Sequence, residues 1–146
     1  MELAESLARH EIRTIAERYF FGVDTRDAAM VRSCFADSFR FELGLDPVRV
    51  LTSADDIDNL IHGGPQPLAS NHSLSNMLIE LTPDSATSTL HAVAEVSIGG
   101  KILVRGLRYT DRWVKQPGAW RIADRRHQPR WQFETTAIAP RVAQTD

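Results

Sequence analysis

The chain has 146 residues, of which 42% are hydrophobic and 25% are charged, and its formal net charge at pH 7 is −2. This length and composition fit one domain with a hydrophobic core, and the slight acidity gives no electrostatic reason to expect nucleic acid or an anionic membrane as a partner. Charged residues interrupt the apolar residues near the N-terminus, and no uncharged stretch is long enough to cross a bilayer, so we expect a cytoplasmic protein.

The single cysteine, Cys34, lies on the apolar side of a short helical pattern. One cysteine cannot form an internal disulfide, and a thiol on an apolar helix face is usually buried and unreactive. We therefore expect Cys34 to be a core residue rather than a nucleophile.

Three segments with helical periodicity occupy the first half of the sequence. In the first, apolar residues recur mostly at three- and four-residue spacing, and Gly22 is its predicted end. Asp27 and Ser53 can accept hydrogen bonds from the free N–H groups of the helices that follow them. Glycine and proline residues at 63–67 end the third segment. The predicted helices span residues 3–23, 28–34 and 53–62.

After the third helix the hydrophobic period changes from about 3.6 to 2, which is the period of a strand. Turn residues separate four long strand patterns, and Gly99-Gly100 is a two-residue hairpin signal. A shorter alternating pattern around Phe39 and Phe41 predicts one earlier strand, whereas the structure of segment 45–51 is left open. The predicted strands span residues 38–43, 71–81, 86–98, 102–115 and 120–134.

Helices that come before a sheet of sequential antiparallel strands are typical of the α+β class. We therefore predict a cone-shaped α+β barrel, in which three N-terminal helices pack on a strongly curved, mostly antiparallel sheet. One domain would cover residues 1–146, with its core within residues 8–134. A sheet bent around a long helix leaves one open mouth, where a small-molecule pocket would lie.

Four segments of the sequence, in their order and spacing, carry a resemblance to a known family. They are Gly22-Val23-Asp24-Thr25-Arg26-Asp27, Cys34-Phe35-Ala36-Asp37, Asn71-His72-x-x-x-Asn76, and Tyr109-x-Asp111 followed by Gly118-Ala119-Trp120-Arg121-Ile122. Together they resemble the SnoaL-like branch of the NTF2-like superfamily, which includes scytalone dehydratase and the lindane dehydrochlorinase-like proteins. The resemblance covers most of the chain and implies the same cone-shaped fold.

The resemblance also implies a catalytic set for this chain. In the enzymes of this branch an aspartate after the first helix orients and charges a histidine on a strand, and the histidine removes a proton from carbon next to a leaving group. The matching residues here are Asp24 and His72, and Arg125 matches a further polar group on the last strand. Val23 stands where the dehydratase has a tyrosine, and no counterpart of its second histidine is evident.

The residues themselves leave other interpretations open. Histidine is the side chain whose ordinary pKa lies nearest neutrality, so His72 suits a general base, but a strand-end histidine can also be satisfied by backbone groups while Asp24 caps a helix. Strand alternation puts Arg125 and His127 on one face, and the sequence does not say whether that face is inside. Arg125 would bind a leaving group or oxyanion, or belong to a solvated strand face.

The predicted cone would have a hydrophobic lining with a few polar groups. Tyr19 could donate a hydrogen bond in the pocket or pack in the core, and Asn76, four residues after His72, would share its strand face. The remaining histidines show no metal-ligand spacing, so we expect neither a metal nor another cofactor. The residues expected to line the pocket are Tyr19, Phe20, Phe39, Phe41, Asn76, Met77 and Leu107.

These observations predict a cofactor-independent lyase or isomerase, of dehydratase or cyclase type, that acts on a small hydrophobic cyclic or polyketide-like substrate. By the same resemblance we expect a homodimer or homotrimer that associates through the outer face of the sheet. Two alternatives are open. One is a non-catalytic ligand-binding protein, or a structural subunit that resembles the small subunit of ring-hydroxylating dioxygenases. The other is a ketosteroid-isomerase- or epoxide-hydrolase-like enzyme, which would need two or more carboxylates in the pocket.

Overall fold

The computed structural model of the protein describes residues 2–138. Its helices are α1 (Leu3–Asp24), α2 (Ala28–Ser33) and α3 (Ala54–His62). Its strands are β1 (Phe35–Leu43), β2 (Arg49–Leu51), β3 (Ala69–Leu81), β4 (Ser85–Ile98), β5 (Lys101–Gln116) and β6 (Ala119–Thr136). All the predicted helices and strands are present, and the segment that the sequence left open contains the short strand β2.

The six strands form one sheet in the order β2-β1-β6-β5-β4-β3. All neighbouring strands are antiparallel except β1 and β6, which run parallel. The helix α1 packs against the concave face of this sheet and contributes a stripe of buried side chains to the core. The predicted cone-shaped α+β fold is therefore confirmed.

The two predicted helix caps are formed. Oδ1 of Asp27 accepts a hydrogen bond of 2.9 Å from the backbone N–H of Met30 at the start of α2. At the start of α3, Oγ of Ser53 accepts from the N–H of Asp56 at 3.1 Å, and Oδ2 of Asp56 accepts from the N–H of Ser53 at 3.2 Å. Such caps satisfy N–H groups that have no partner inside the helix, and each typically stabilises a helix by about 1 kcal/mol.

Gly22 does not end the first helix, which continues for two more residues to Asp24. Its role is instead close packing between α1 and α2. A Cβ atom at Gly22 would lie 2.8 Å from Cγ2 of Val31, which is fully buried. The absence of a side chain thus lets α2 pack directly against the last turns of α1, and the helix end at Asp24 is held against the rest of the fold.

β-Bulges decide which side chains of the long strands face the core. Trp113 on β5 pairs with Ile122 on β6, and Arg112 pairs with Asp124, so Ala123 is an extra residue between them. An extra residue reverses the inside–outside alternation beyond it. Ile122 and Arg125 are therefore both fully buried although they are three residues apart.

The core lies between α1 and the concave face of the sheet. Cys34 is fully buried within it, as predicted, and burial raises the pKa of its thiol. Trp113 is also fully buried, and its Nε1 donates a 2.8 Å hydrogen bond to Oγ of Ser88. Within residues 2–138, no helix is both long enough and apolar enough to cross a membrane.

Candidate active site

The structure brings His72 and Asp24 together at the end of α1. Nδ1 of His72, on the edge strand β3, lies 2.6 Å from Oδ1 of Asp24. The backbone N–H of His72 donates to Oδ2 of the same carboxylate at 2.8 Å, and Oγ of Ser70 donates to Oδ1 at 2.9 Å. Three hydrogen bonds from one strand therefore fix the position of the carboxylate and, through it, the orientation of the imidazole ring.

The electrostatics of this pair favour an ionised Asp24. Burial alone raises the pKa of Asp24, but the hydrogen bonds from the ring and backbone of His72 and from Ser70 outweigh it, so the net pKa lies below its ordinary value. A carboxylate can only accept from Nδ1, so the proton of the neutral imidazole sits on Nδ1. Nε2 then carries the lone pair, which is the arrangement that a general base requires.

The pair borders a small cavity between α1 and β3. The cavity has a volume of about 120 Å³ and is lined by Glu17, Phe20, Phe21, Asp24, His72 and Leu74. The ring of Phe20 stacks on the imidazole of His72 with their centroids 5.7 Å apart and an interplanar angle of 14°. The side chains of His72 and Asp24 are 13% and 17% exposed, so both are partly shielded from water while remaining reachable by a ligand.

Arg125 lies inside the cone, but in a different arrangement from the one expected. Its Nε and Nη2 donate to Oδ1 and Oδ2 of Asp111 at 2.7 and 2.8 Å, and neither side chain is exposed. The guanidinium is packed between the rings of Tyr19 and Tyr109, at 4.4 and 4.6 Å from their centroids. Burial alone lowers the pKa of Arg125, but Asp111 outweighs it and holds the guanidinium charged.

The role of Arg125 in binding a leaving group stays a prediction. Asp111 occupies the fork of donors that such binding would need, and only Nη1 has no hydrogen-bond partner within residues 2–138. The sequence could not show this, because Asp111 and Arg125 are 14 residues apart and meet only through the pairing of β5 with β6.

His127 is a buried polar residue that the sequence did not assign to the site. It is 6% exposed, and its ring meets the ring of Tyr109 edge-on at a centroid distance of 5.3 Å. Burial, together with the charges of Arg105 and Arg125, lowers the pKa of His127 to about 4. The imidazole is therefore neutral at pH 7, and its Nδ1 has no hydrogen-bond partner in the described part of the chain. The only sign of His127 in the sequence was its position two residues after Arg125, on the same strand face.

Most of the residues expected to line the pocket are packed into the core instead. Tyr19 lies edge-on to Phe41 at 6.0 Å between centroids, and Phe39 packs against Phe35 at 4.8 Å. These residues, with Phe20 and Leu107, are nearly inaccessible, and Met77 is partly buried against them. Of the expected lining, only Phe20 reaches the cavity beside His72. The pocket predicted inside the cone is thus largely filled by these side chains.

Asn76 is not on the same strand face as His72. On β3 the register with β4 shifts between Leu74 and Met77, which face the core as partners of Ala92 and Leu90. The two residues between them form a bulge, so Asn76 is turned outward and exposed. The four-residue spacing from His72 predicted the wrong face because it assumed an unbroken strand. No group of three possible metal ligands occurs within residues 2–138.

Comparison with known proteins agrees with this architecture. A family model, described as a SnoaL-like domain, matches residues 4–126, which is most of the chain. This chain belongs to the SnoaL-like family. A search of curated protein sequences found no significant match.

Solved structures related to this SnoaL-like protein share its fold at low sequence identity. A candidate scytalone dehydratase from Novosphingobium aromaticivorans DSM 12444 is 16% identical with a TM-score of 0.80, over 92% of each chain. A function-unknown protein from Mycobacterium tuberculosis is 23% identical with a TM-score of 0.77, over 87% of this chain and 74% of that one. The hexachlorocyclohexane dehydrochlorinase LinA-type3 from Novosphingobium barchaimii LL02 is 14% identical with a TM-score of 0.76, over 94% and 97%.

Proposed function

We propose that this SnoaL-like protein is a cofactor-independent lyase or isomerase in which His72 is the general base and Asp24 positions it. The observation that carries the proposal is the 2.6 Å contact between Nδ1 of His72 and Oδ1 of Asp24, reinforced by the hydrogen bonds from Ser70 and from the His72 backbone. A base needs a fixed tautomer and a partner for the charge that it acquires, and this carboxylate supplies both.

The proposed step begins with removal of a proton from a substrate carbon by Nε2 of His72. The electron pair of the broken C–H bond forms a new carbon–carbon double bond, and a leaving group on the next carbon departs with its own bonding pair. In isomerisation the same imidazolium returns the proton to a different carbon. The carboxylate of Asp24 stabilises the imidazolium in both cases, and the half-buried setting strengthens that attraction because little water screens it.

The comparisons support elimination as the reaction class. A candidate scytalone dehydratase and a hexachlorocyclohexane dehydrochlorinase are among the structural relatives, and their names denote the loss of water and of hydrogen chloride. The ring of Phe20 beside His72 favours a hydrophobic substrate, and we propose a small cyclic or polyketide-like compound. The cavity contains two carboxylates, Glu17 and Asp24, as the ketosteroid-isomerase- or epoxide-hydrolase-like alternative would require. We favour the reaction based on His72 because Asp24 is engaged by His72 and Glu17 is an exposed side chain paired with Arg13 at 3.2 Å.

Proton abstraction can be tested before the natural substrate is known. The protein is incubated in D2O with cyclic ketones such as 2-tetralone, and exchange of the hydrogens next to the carbonyl is followed by NMR. We expect the wild type to accelerate exchange and His72→Gln to lose about 10²- to 10⁴-fold of that acceleration, the usual contribution of a general base. His91→Gln, on the outer face of the sheet, is the matched control and should retain full activity. Undiminished exchange by a folded His72→Gln variant would refute the proposal.

We also propose that the protein forms a homodimer or homotrimer through the outer face of the sheet. Trp131 and Phe133 on β6 are 52% and 56% exposed, and their rings stack at 6.3 Å between centroids. Large aromatic side chains exposed side by side on one sheet face are typical of a protein interface.

A further inference from the structure

The cavity beside His72 is a groove between one face of α1 and the edge strand β3. The strand contributes His72 and Leu74, which are two residues apart and so share a strand face. The helix contributes residues at three- and four-residue spacing, which share a helix face. They are Glu17, Phe20, Phe21 and Asp24. We call this cavity the α1–β3 groove.

Exposure increases from the inner wall of the α1–β3 groove to its rim. Phe20 at the inner wall is 3% exposed, and its ring stacks on His72. The side chain of His72 is 13% exposed. Phe21 at the rim is 67% exposed, although it is a large aromatic residue. A ligand that reaches His72 through this groove therefore has a free aromatic ring next to it on the helix side.

The rim of the groove lies on a part of α1 that is held in place. The carbonyl of Phe21 accepts hydrogen bonds from the N–H and Oγ1 of Thr25 at 2.9 and 2.7 Å. The N–H of Asp27 donates to the carbonyl of Gly22 at 2.9 Å, and Arg26 between them has a φ of 60°, which turns the chain out of the helix. Because this helix end is already ordered, little backbone freedom would be lost when a ligand contacts Phe21.

The size of the groove limits what can lie beside the base. Its volume is about 120 Å³. An apolar protein cavity of about 150 Å³ is large enough to bind benzene. The groove therefore accommodates about one small ring next to His72, and a second ring fused to the first would extend outward to Phe21.

The charges of the groove oppose an anionic ligand. Within residues 2–138, its lining includes the carboxylates of Glu17 and Asp24 but neither a lysine nor an arginine. Glu17 pairs with Arg13 at 3.2 Å, and both side chains are almost half exposed, so this pair is weak. A carboxylate that entered the groove would meet two like charges, whereas a neutral ring would not.

We propose that the substrate binds in the α1–β3 groove, with its reacting ring beside His72 and a second ring against the face of Phe21. Glu17 selects against anionic compounds, so the substrate is a neutral fused-ring compound. This inference rests on the proposed role of His72 and adds the binding site and the substrate class. Phe21 and Glu17 are the specificity-determining residues in this arrangement.

The contact with Phe21 is tested with two neutral ketones, cyclohexanone and 2-tetralone, of which the second has an additional fused aromatic ring. Dissociation constants come from NMR titrations that follow the amide resonances of α1 and β3. We expect Phe21→Ala to weaken binding of 2-tetralone about three- to tenfold, the range given by an aromatic contact, and to leave cyclohexanone unchanged. Phe21→Trp should bind 2-tetralone as well as the wild type. Leu7→Ala, which removes another exposed apolar side chain of α1, is the matched control and should change neither constant.

The selection by Glu17 is tested with two probes of similar shape that differ in charge, 2-naphthamide and 2-naphthoate, at pH 7. We expect the wild type to bind the naphthamide roughly three- to tenfold more tightly. Glu17→Gln should narrow this difference by strengthening naphthoate binding while naphthamide binding stays the same. Glu5→Gln is the matched control, since Glu5 forms the same kind of pair with Arg9 at 2.9 Å on the same helix but does not line the groove.

Several outcomes would overturn the inference. These are a Phe21→Ala variant that binds 2-tetralone as tightly as the wild type or loses affinity for both ketones equally, and a Glu17→Gln variant with an unchanged difference between the naphthyl probes. Binding of 2-tetralone that shifts no resonance of His72 would also overturn it. Thermal unfolding of each variant establishes that it is folded before binding is compared.

These measurements separate the inference from the proposed function. Binding requires no turnover, so His72→Gln should still bind 2-tetralone through Phe21 even though it loses proton abstraction. If His72→Gln keeps its exchange activity while Phe21→Ala loses affinity, the role of His72 as base fails and the binding site stands. If His72→Gln is inactive and Phe21→Ala binds 2-tetralone normally, the base stands and the proposed binding site is wrong.

Discussion

Asp111 holds Arg125 at the centre of the cone through two hydrogen bonds of 2.7 and 2.8 Å, and neither side chain has any exposed surface. Oγ of Ser88 donates a longer hydrogen bond of 3.4 Å to the same carboxylate. The rings of Tyr19 and Tyr109 cover the guanidinium. Desolvating a pair this deeply buried is costly, and each charge offsets that cost only while the other is present.

We therefore predict that Asp111→Ala lowers the free energy of unfolding by about 3–5 kcal/mol, because it leaves the guanidinium of Arg125 buried without a counter-charge. The double variant Asp111→Leu, Arg125→Met should recover much of that loss, since it removes both charges. Urea denaturation followed by tryptophan fluorescence measures both effects. A single variant as stable as the wild type would show that the pair contributes little.

The contact between His72 and Asp24 predicts a graded loss of catalysis. Asp24→Asn keeps the shape of the side chain but removes the charge that stabilises the imidazolium. We expect its rate of proton abstraction to fall at least about tenfold, with a smaller loss than that of His72→Gln. Steady-state measurement of kcat with an exchangeable ketone gives the ratio, and Asp27→Asn, at the cap of α2, is a control of the same chemistry outside the site.

The buried His127 predicts a loss of stability in mild acid. Its pKa is about 4 in the folded protein and about 6.5 in the unfolded chain, so the unfolded state binds the proton more readily. Stability from this residue is complete above pH 6.5 and falls as the pH decreases toward 4, by about 3 kcal/mol in total. The pKa of Asp24 is lowered in the folded protein, so the stability that Asp24 contributes is lost only as the pH falls below the ordinary pKa of a carboxyl group. The effects of His127 and Asp24 therefore fall in separate pH windows.

His127→Phe should remove this acid-dependent loss. We expect the difference in unfolding free energy between pH 7 and pH 4.5 to be clearly smaller in the variant than in the wild type, as measured by urea denaturation at each pH. The comparison at pH 8 isolates the effect of changed packing, because His127 is neutral there in both states. An acid dependence equal to that of the wild type would contradict the assignment.

The close contact between α1 and α2 predicts that Gly22→Ala is destabilising. Its new methyl group would lie 2.8 Å from Cγ2 of Val31, which must move, and overpacking of this kind typically costs about 1–3 kcal/mol. Val31→Ala removes the opposing methyl groups, so the double variant should lose less stability than the sum of the two single variants. A double-mutant cycle from thermal unfolding measures that coupling, and strictly additive losses would show that the two residues do not interact.

The exposed aromatic pair on β6 predicts an interface between copies of the chain. We expect Trp131→Ser, Phe133→Ser to shift the protein from a dimer or trimer to a monomer, because it removes the apolar surface that would drive association. Size-exclusion chromatography with light scattering measures the mass directly. Arg112→Gln, an exposed polar change on the same sheet face, should leave the mass unchanged, and a monomeric wild type would refute the interface.

The sequence by itself determined the order and type of all the elements except the short strand β2. The helical period of the three helices and the period of two in the strands are local properties, and the caps at Asp27 and Ser53 depend on residues only three positions apart. The pairing of Asp24 with His72 was reached only through the family resemblance, since the two residues are 48 positions apart.

Tertiary structure alone decided which polar groups share the interior. The bulge at Ala123 turns Arg125 inward, and the bulge before Met77 turns Asn76 outward. A bulge of one residue cannot be recognised from the alternation of hydrophobic and polar residues in the sequence. Arg125 then meets Asp111 because the register of β5 on β6 sets them side by side. The core likewise takes up Phe39 and Phe41, because close packing leaves no space between α1 and the sheet. The residue types determined which polar groups the protein has, and the strand register determined which of them meet in the interior.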